Sequence, residues 1–221
     1  MIYCACLAVA LAQDSIPKWQ APPGDESPQI KALIDKAQQG LQSGEAASNF
    51  LSDRLFDEVR SYPRFRQAIR KFSPIGEVTV VSPDEPGERL DFTFDLGKPD
   101  QLIYLYHTDS RGAYAKNGVH FQANSGDHNF ARLFAYVKTD KNGKARILTI
   151  RPAGYPGGEL PQHIHFFVEP LRSKVDEIWF SDDPRLTQSV RQRGLNTAHI
   201  VTPIKSERGW RAEAKITLLN N

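Results

Sequence analysis

Cysteine is nearly absent from this 221-residue chain: it has two, Cys4 and Cys6, both within the first six residues. Beyond that point no disulfide framework, thiol nucleophile or thiolate metal site can be built. Methionine is rarer still, with one at the start. Neither sign of charge dominates, since 28 Lys and Arg against 26 Asp and Glu leave a formal net charge of +2. That near-balance excludes the basic surface of a nucleic-acid binder and the charge run of an acidic tail. No apolar run reaches the roughly 20 residues a membrane-spanning helix needs. Internal repeats and low-complexity tracts are also missing. What is present is an ordinary globular balance, 40% hydrophobic and 24% charged, with 15 Gly and 15 Pro. Such a chain is long enough to bury a core without staples, and its many turn residues argue against an all-helical bundle.

Residues 1–12 carry no charge and end in Ala10-Leu11-Ala12 before Gln13. This small-x-small ending resembles that of an export signal, although the usual preceding basic residues are lacking; a buried first strand is the alternative reading. The expectation is an exported protein, periplasmic or extracellular, whose mature chain begins near Gln13. Residues 13–27, rich in Pro, Gly and acidic residues, read as an extended leader.

From residue 28 the pattern turns helical. Ile30, Leu33, Ile34 and Ala37 share one helix face, and a second stretch from Glu45 to Arg60 carries Phe50, Leu51, Leu55, Phe56 and Val59. Pro63 is expected to stop it, with another turn over Phe65–Phe72. Residues 28–73 thus form a helical extension expected to cover one face of the main domain. Residues 74–221 read as β: short alternating segments such as Leu90–Leu96, Leu102–Tyr106, His163–Val168 and Glu177–Phe180, separated by Gly/Pro turns. Asp140-Lys141-Asn142-Gly143 reads as a hairpin between Ala131–Lys138 and Ala145–Ile150. The class is mostly β, a sandwich or barrel of eight or nine short strands with an N-terminal helical extension.

The strongest chemical signal is Pro161-Gln162-His163-Ile164-His165-Phe166. On a strand, residues i and i+2 project from the same side, so His163 and His165 stand about 6–7 Å apart at Cα and can grip one metal ion. The flanking proline and Phe166-Phe167-Val168 argue for burial, where two unpaired imidazoles are costly and a metal satisfies them. HxH followed by Glu169 and preceded by Gly157-Gly158 also fits the first motif of a cupin, but the required later motif is only half present around His199.

A second resemblance explains more of the chain. Thr149-Ile150-Arg151-Pro152-Ala153-Gly154-Tyr155-Pro156, followed by Pro161-Gln162-His163-Ile164-His165-Phe166, resembles the signature of intradiol ring-cleavage dioxygenases. Upstream, Leu102–Tyr106 and the segment from His107 to Tyr114 resemble that family's earlier strand, turn and tyrosine. Downstream, Ile178-Trp179-Phe180-Ser181-Asp182-Asp183-Pro184 resembles its later strand end. The resemblance covers about residues 74–202 in the right order. It implies a non-haem Fe(III) held by Tyr114, Tyr155, His163 and His165, with no organic cofactor. It implies O2-dependent cleavage of a catechol-type ortho-diphenol between its two hydroxylated carbons, with Tyr114 also taking a proton. It also implies a homodimer contact through the N-terminal helices. A non-catalytic β-sandwich binding module is the alternative from a different class.

Departures from the pattern bear on the substrate. Two residues before the alanine of the family's Pro-Ala-His-Ile-His, ring-cleaving members carry an arginine; here the position is Leu160. Arg111 or Arg151 could supply that positive charge, and Arg151 is equally placed for a structural salt bridge. The segment 118–132, with His120 and His128, follows Tyr114 and could line a pocket mouth. His107 is expected to support a ligand, and His199 to be a strand histidine without a role. This pattern resembles an exported branch of the family.

Overall fold

The computed structural model describes residues 26–114, 130–169, 175–194 and 197–217. The expected export signal, nearly all of the leader, and most of the 118–132 segment with His120 and His128 lie outside the described residues.

The first helix, α1 (Pro28–Gln42), starts where the Ser27 side chain accepts a hydrogen bond from the Ile30 amide. Pro28 takes its first turn, where a missing N–H costs nothing. The single helix expected from Glu45 to Arg60 is broken. After α2 (Ala47–Leu51), the Asp53 carboxylate accepts from the Leu55 amide and opens a 3-10 segment, Arg54–Val59. A short side-chain acceptor competing for backbone N–H groups interrupts helices in this way. Pro63, expected as a stop, follows the end of that segment and also begins α3 (Pro63–Lys71); the fixed φ that ends one helix suits the first turn of the next. These helices have no separate core. Ile34, Leu51, Phe56, Phe65 and Ile69 belong to the same buried cluster as the sheet residues.

Among the described residues ten strands follow: β1 (Glu77–Thr79), β2 (Arg89–Asp95), β3 (Leu102–His107), β4 (Leu133–Lys138), β5 (Lys144–Ile150), β6 (His163–Glu169), β7 (Asp176–Phe180), β8 (Ala198–Val201), β9 (Ile204–Ser206) and β10 (Gly209–Lys215). They form two five-stranded sheets, ordered β1-β5-β2-β10-β9 and β4-β3-β6-β7-β8. The sandwich is therefore mostly β, as expected, with one more short strand than expected, since β9 and β10 pair around the Glu207-Arg208 turn. Both sheets are mixed, since β1/β5, β2/β10 and β7/β8 pair in parallel. A short helix, α4 (Gln188–Arg193), capped by the Thr187 hydroxyl, was not anticipated. Among the described residues no helix is long and apolar enough to cross a membrane.

The expected hairpin at residues 140–143 is a correction. The turn exists: the Asp140 carboxylate accepts from the Asn142 and Lys144 amides, and Gly143 adopts φ 77°. However, β4 pairs with β3 and β5 with β2, in different sheets. The turn is a crossover between layers. Turn chemistry dictates a local reversal but not which ladder each arm joins. Gly143 also lacks room for a side chain, because a Cβ there would lie 2.5 Å from the Lys98 amide nitrogen.

Alternation along β6 sets the site. Ile164, Phe166 and Val168 face the other sheet, where the Phe166 ring meets Phe94 at 5.0 Å. His163 and His165 consequently face outward, on the side that carries Tyr104 and Tyr106 of β3.

Candidate metal centre

Three segments deliver four side chains to one point. His163 and His165 come from β6, Tyr155 from the loop after β5, and Tyr114 from the loop after β3. The Tyr155 phenol oxygen is central. It lies 2.9 Å from His163 Nε2, 3.1 Å from His165 Nε2 and 2.6 Å from the Tyr114 phenol oxygen. The two Nε2 atoms are 3.0 Å apart. All four residues expected from the sequence are thus brought together.

Local structure explains the convergence. In the turn bearing Tyr114, the Asp109 carboxylate accepts from the Arg111 and Ala113 amides. That turn is tied to the one bearing Tyr155: the Ala153 amide donates to the Asp109 carbonyl, and the Thr108 hydroxyl to the Ala153 carbonyl. Gly112 permits the approach. It sits at φ 83°, and a Cβ there would be 2.4 Å from the Gly154 carbonyl oxygen. Tyr106 stacks on the His165 ring with centroids 4.7 Å apart and planes 14° apart, fixing the imidazole plane.

The proton inventory is that of a cation site. His163 Nδ1 donates to the Pro161 carbonyl at 2.7 Å, which leaves Nε2 as a lone pair. His165 Nδ1 lies 3.4 Å from Glu177 Oε1, an acceptor that favours the proton on Nδ1 and the lone pair on Nε2. Two imidazole lone pairs and two phenol oxygens then face one another, with only two phenol protons to separate them. Burial pushes the His163 imidazole below its ordinary pKa, outweighing the pull of Glu177 and the Pro161 carbonyl. Protonation is thereby disfavoured as a remedy for the repulsion. A metal ion resolves it, and two phenol oxygens with two nitrogens suit a hard, highly charged one. The residues present therefore fit a ferric ion.

Other expected residues lie elsewhere. His107 is fully buried on the opposite face of β3, with Nδ1 on the Thr108 carbonyl and Nε2 on the Thr149 hydroxyl. It supports the sandwich, not a ligand, because its neighbour Tyr106 takes the outward position. Arg151 makes paired bonds to Asp182 and one to Gln162, and its guanidinium lies 4.2 Å from the Trp210 ring centroid. None of these contacts involves the four donor atoms. Arg111 pairs with Asp109 beneath Tyr114. Glu169 bonds Arg70, and His199 packs its ring at 5.7 Å from Phe166, on the core side of the sheet. The cupin reading needs both residues beside the HxH pair and so falls. Glu177, opposite His165 in the β6/β7 register, is the residue sequence reasoning missed.

A two-sheet sandwich whose outer face gathers two phenols and two imidazoles defines the class of this protein. No family model matches the chain. It is 32% identical over 131 residues to the protocatechuate 3,4-dioxygenase beta chain of Burkholderia cepacia, which covers 55% of this chain. The chain spans about half, 52%, of that relative's length. Among solved structures, catechol 1,2-dioxygenase from Acinetobacter sp. ADP1 aligns at 18% identity and TM-score 0.49, covering 85% of this chain and 76% of its own. The dioxygenase domain from Streptomyces sp. SirexAA-E aligns at 18% identity and TM-score 0.47, covering 66% and 90%. Over those 131 residues the chain is similar in sequence to an intradiol ring-cleavage dioxygenase subunit, the family that its motifs resemble.

Proposed function

We propose that this protein is a non-haem Fe(III) dioxygenase that cleaves a catechol-type ortho-diphenol between its two hydroxylated carbons, incorporating both atoms of O2. The observation that carries the reading is the meeting of the Tyr114 and Tyr155 oxygens with the His163 and His165 Nε2 atoms within 2.6–3.1 Å. A ferric ion bound there would act as Lewis acid and template, drawing electron density from the diphenolate so that its ring reacts with O2. Tyr114 and Tyr155 would hold it as phenolates. A free phenol ionises near pH 10, and a trivalent cation brings that within reach at neutral pH. Two phenolates would offset two of its three positive charges, and the imidazoles would bind as neutral donors. Tyr155, whose oxygen contacts both imidazoles and Tyr114, would hold the ion throughout, and Tyr114, which joins the cluster through the Tyr155 oxygen, would be the residue placed to accept a proton from the diphenol. Leu160, at the position where the family pattern has an arginine, packs with Trp179, Leu186 and Val190.

The test is reconstitution with ferric iron, followed by visible absorbance and oxygen uptake on a diphenol panel. Tyrosinate-to-iron charge transfer should colour the protein, and at least one diphenol should consume equimolar O2. A colourless ferric complex defeats the ligand assignment; colour without turnover of any diphenol favours the binding-module reading. The same reading includes export, resting on the uncharged residues 1–12, which N-terminal sequencing from the native host tests. It also includes a homodimer through the helices, where Leu55 is 48% exposed, which light scattering tests.

A further inference from the structure

Glu177 is directly opposite His165 in the antiparallel β6/β7 register, on the same outward face. Its two carboxylate oxygens face two different ring nitrogens. Oε1 lies 3.4 Å from His165 Nδ1, and Oε2 accepts from the Trp179 indole at 2.5 Å. Trp179 is itself held in place. It is 3% exposed, packs with Leu160, Leu186 and Val190, and leaves no room at Gly194, where a Cβ would fall 2.6 Å from its ring. Because both histidine Nε2 atoms point at the Tyr155 oxygen, Glu177 stands behind the His165 ring, on its Nδ1 side. It is a neighbour of a donor atom, not a fifth donor.

We propose that Glu177 is a positioning residue that holds His165 in its Nε2-ligating tautomer and supplies the third negative charge of the ferric centre. The proposal rests on the ferric reading above and extends it. The donor count makes a carboxylate obligatory. Two N–H groups converge on residue 177, and a carboxamide has one acceptor oxygen; its NH2 would have to face the other N–H. Only two acceptor oxygens satisfy both. A carboxylate behind a ligating imidazole also raises its basicity and thus its donation to the metal. With two phenolates and Glu177 the 3+ charge is balanced within the protein.

The experiment compares wild type, E177Q and E177Q/W179F by competitive titration with ferric nitrilotriacetate, following the charge-transfer band. E177Q should bind Fe(III) about 10–100-fold more weakly. Its band should move to longer wavelength, because a less electron-rich iron accepts charge more readily. E177Q/W179F removes the competing indole N–H and frees the carboxamide oxygen for His165, so it should recover part of the affinity but not the band position. The same affinity and band in coloured wild type and E177Q overturns the proposal. A wild type that binds ferric iron without colour defeats the parent reading instead. Should E177Q fail to fold, as judged by circular dichroism without metal, E177D carries the test; it keeps both oxygens but withdraws them by one methylene, and it too must weaken binding.

Discussion

Arg132→Met should be among the most damaging single substitutions away from the donor atoms. Arg132 makes two bonds to Glu85, at 3.0 and 2.5 Å, and lies 3.7 Å from Asp57, which in turn pairs with Arg60 at 3.2 Å. All four side chains are at most 10% exposed. Two guanidiniums and two carboxylates thus neutralise one another where the helical extension meets the β1–β2 turn and the start of β4. Removing one cation strands a buried carboxylate, which costs about 3–5 kcal/mol. At roughly 2–4 °C per kcal/mol for a chain of this size, the midpoint of thermal unfolding should fall by about 6–20 °C. Glu85→Gln in the same background should return part of the loss, with a coupling of about 0.5–3 kcal/mol. The Arg132 amide also donates to the Tyr114 carbonyl, so iron binding should weaken alongside stability. The assay is a double-mutant cycle by circular dichroism melting. An R132M protein melting within about 2 °C of wild type, or a double variant whose loss is the sum of the singles, would refute the reasoning.

Four further outcomes follow from the same geometry. Burial pushes the Glu85 carboxyl up, but the hydrogen bonds and charge of Arg132, with Arg60 and Arg54, outweigh it and hold the group below its usual value. Its contribution is therefore present above the ordinary carboxylate range and lost as pH falls through it, so Glu85→Gln should flatten the acid limb of a urea-stability profile. Burial holds His107 at about 4, so between pH 6.5 and 4 the unfolded chain binds a proton that the native chain refuses. Stability falls with pH across that window by on the order of 3 kcal/mol, and His107→Gln should remove that part of the slope that His163 does not share. Gly112→Ala should cost about 1–3 kcal/mol for its positive φ alone, and the contact with Gly154 should part the two tyrosines, read as lost iron colour. Tyr155→Phe should lose more ferric affinity than Tyr114→Phe, since the Tyr155 oxygen contacts both imidazoles.

Much of the site was legible because its signals are local. The HxH spacing places both imidazoles on one strand face whatever the strand pairs with, and both tyrosines sit beside turn residues in a recognisable order. Glu177 was not legible, because its meeting with His165 depends on the β6/β7 register, which no feature of either strand specifies alone. His107 and Tyr106 show the same limit: adjacent residues on β3 face opposite sides, and only knowing which side the helices cover assigns them. Helix boundaries failed where a side chain competes with the backbone, at Asp53, and where one proline serves both a stop and a start, at Pro63. The turn at 140–143 was read correctly as a reversal and wrongly as a hairpin, since both arms alternate equally well in either sheet.

The position of β10 bears on how such a chain is assembled during synthesis. Its ladder with β2 joins Leu90 to Trp210, so one sheet stays divided until the ribosome has delivered nearly everything between them. The sheet carrying the histidines is drawn from β3, β4, β6, β7 and β8, all synthesised before β9 and β10, and so is available first. Donor groups and their ladder can therefore gather in a nascent intermediate whose second layer is still open. Early access to ferric ion would lock that intermediate before the sandwich shuts.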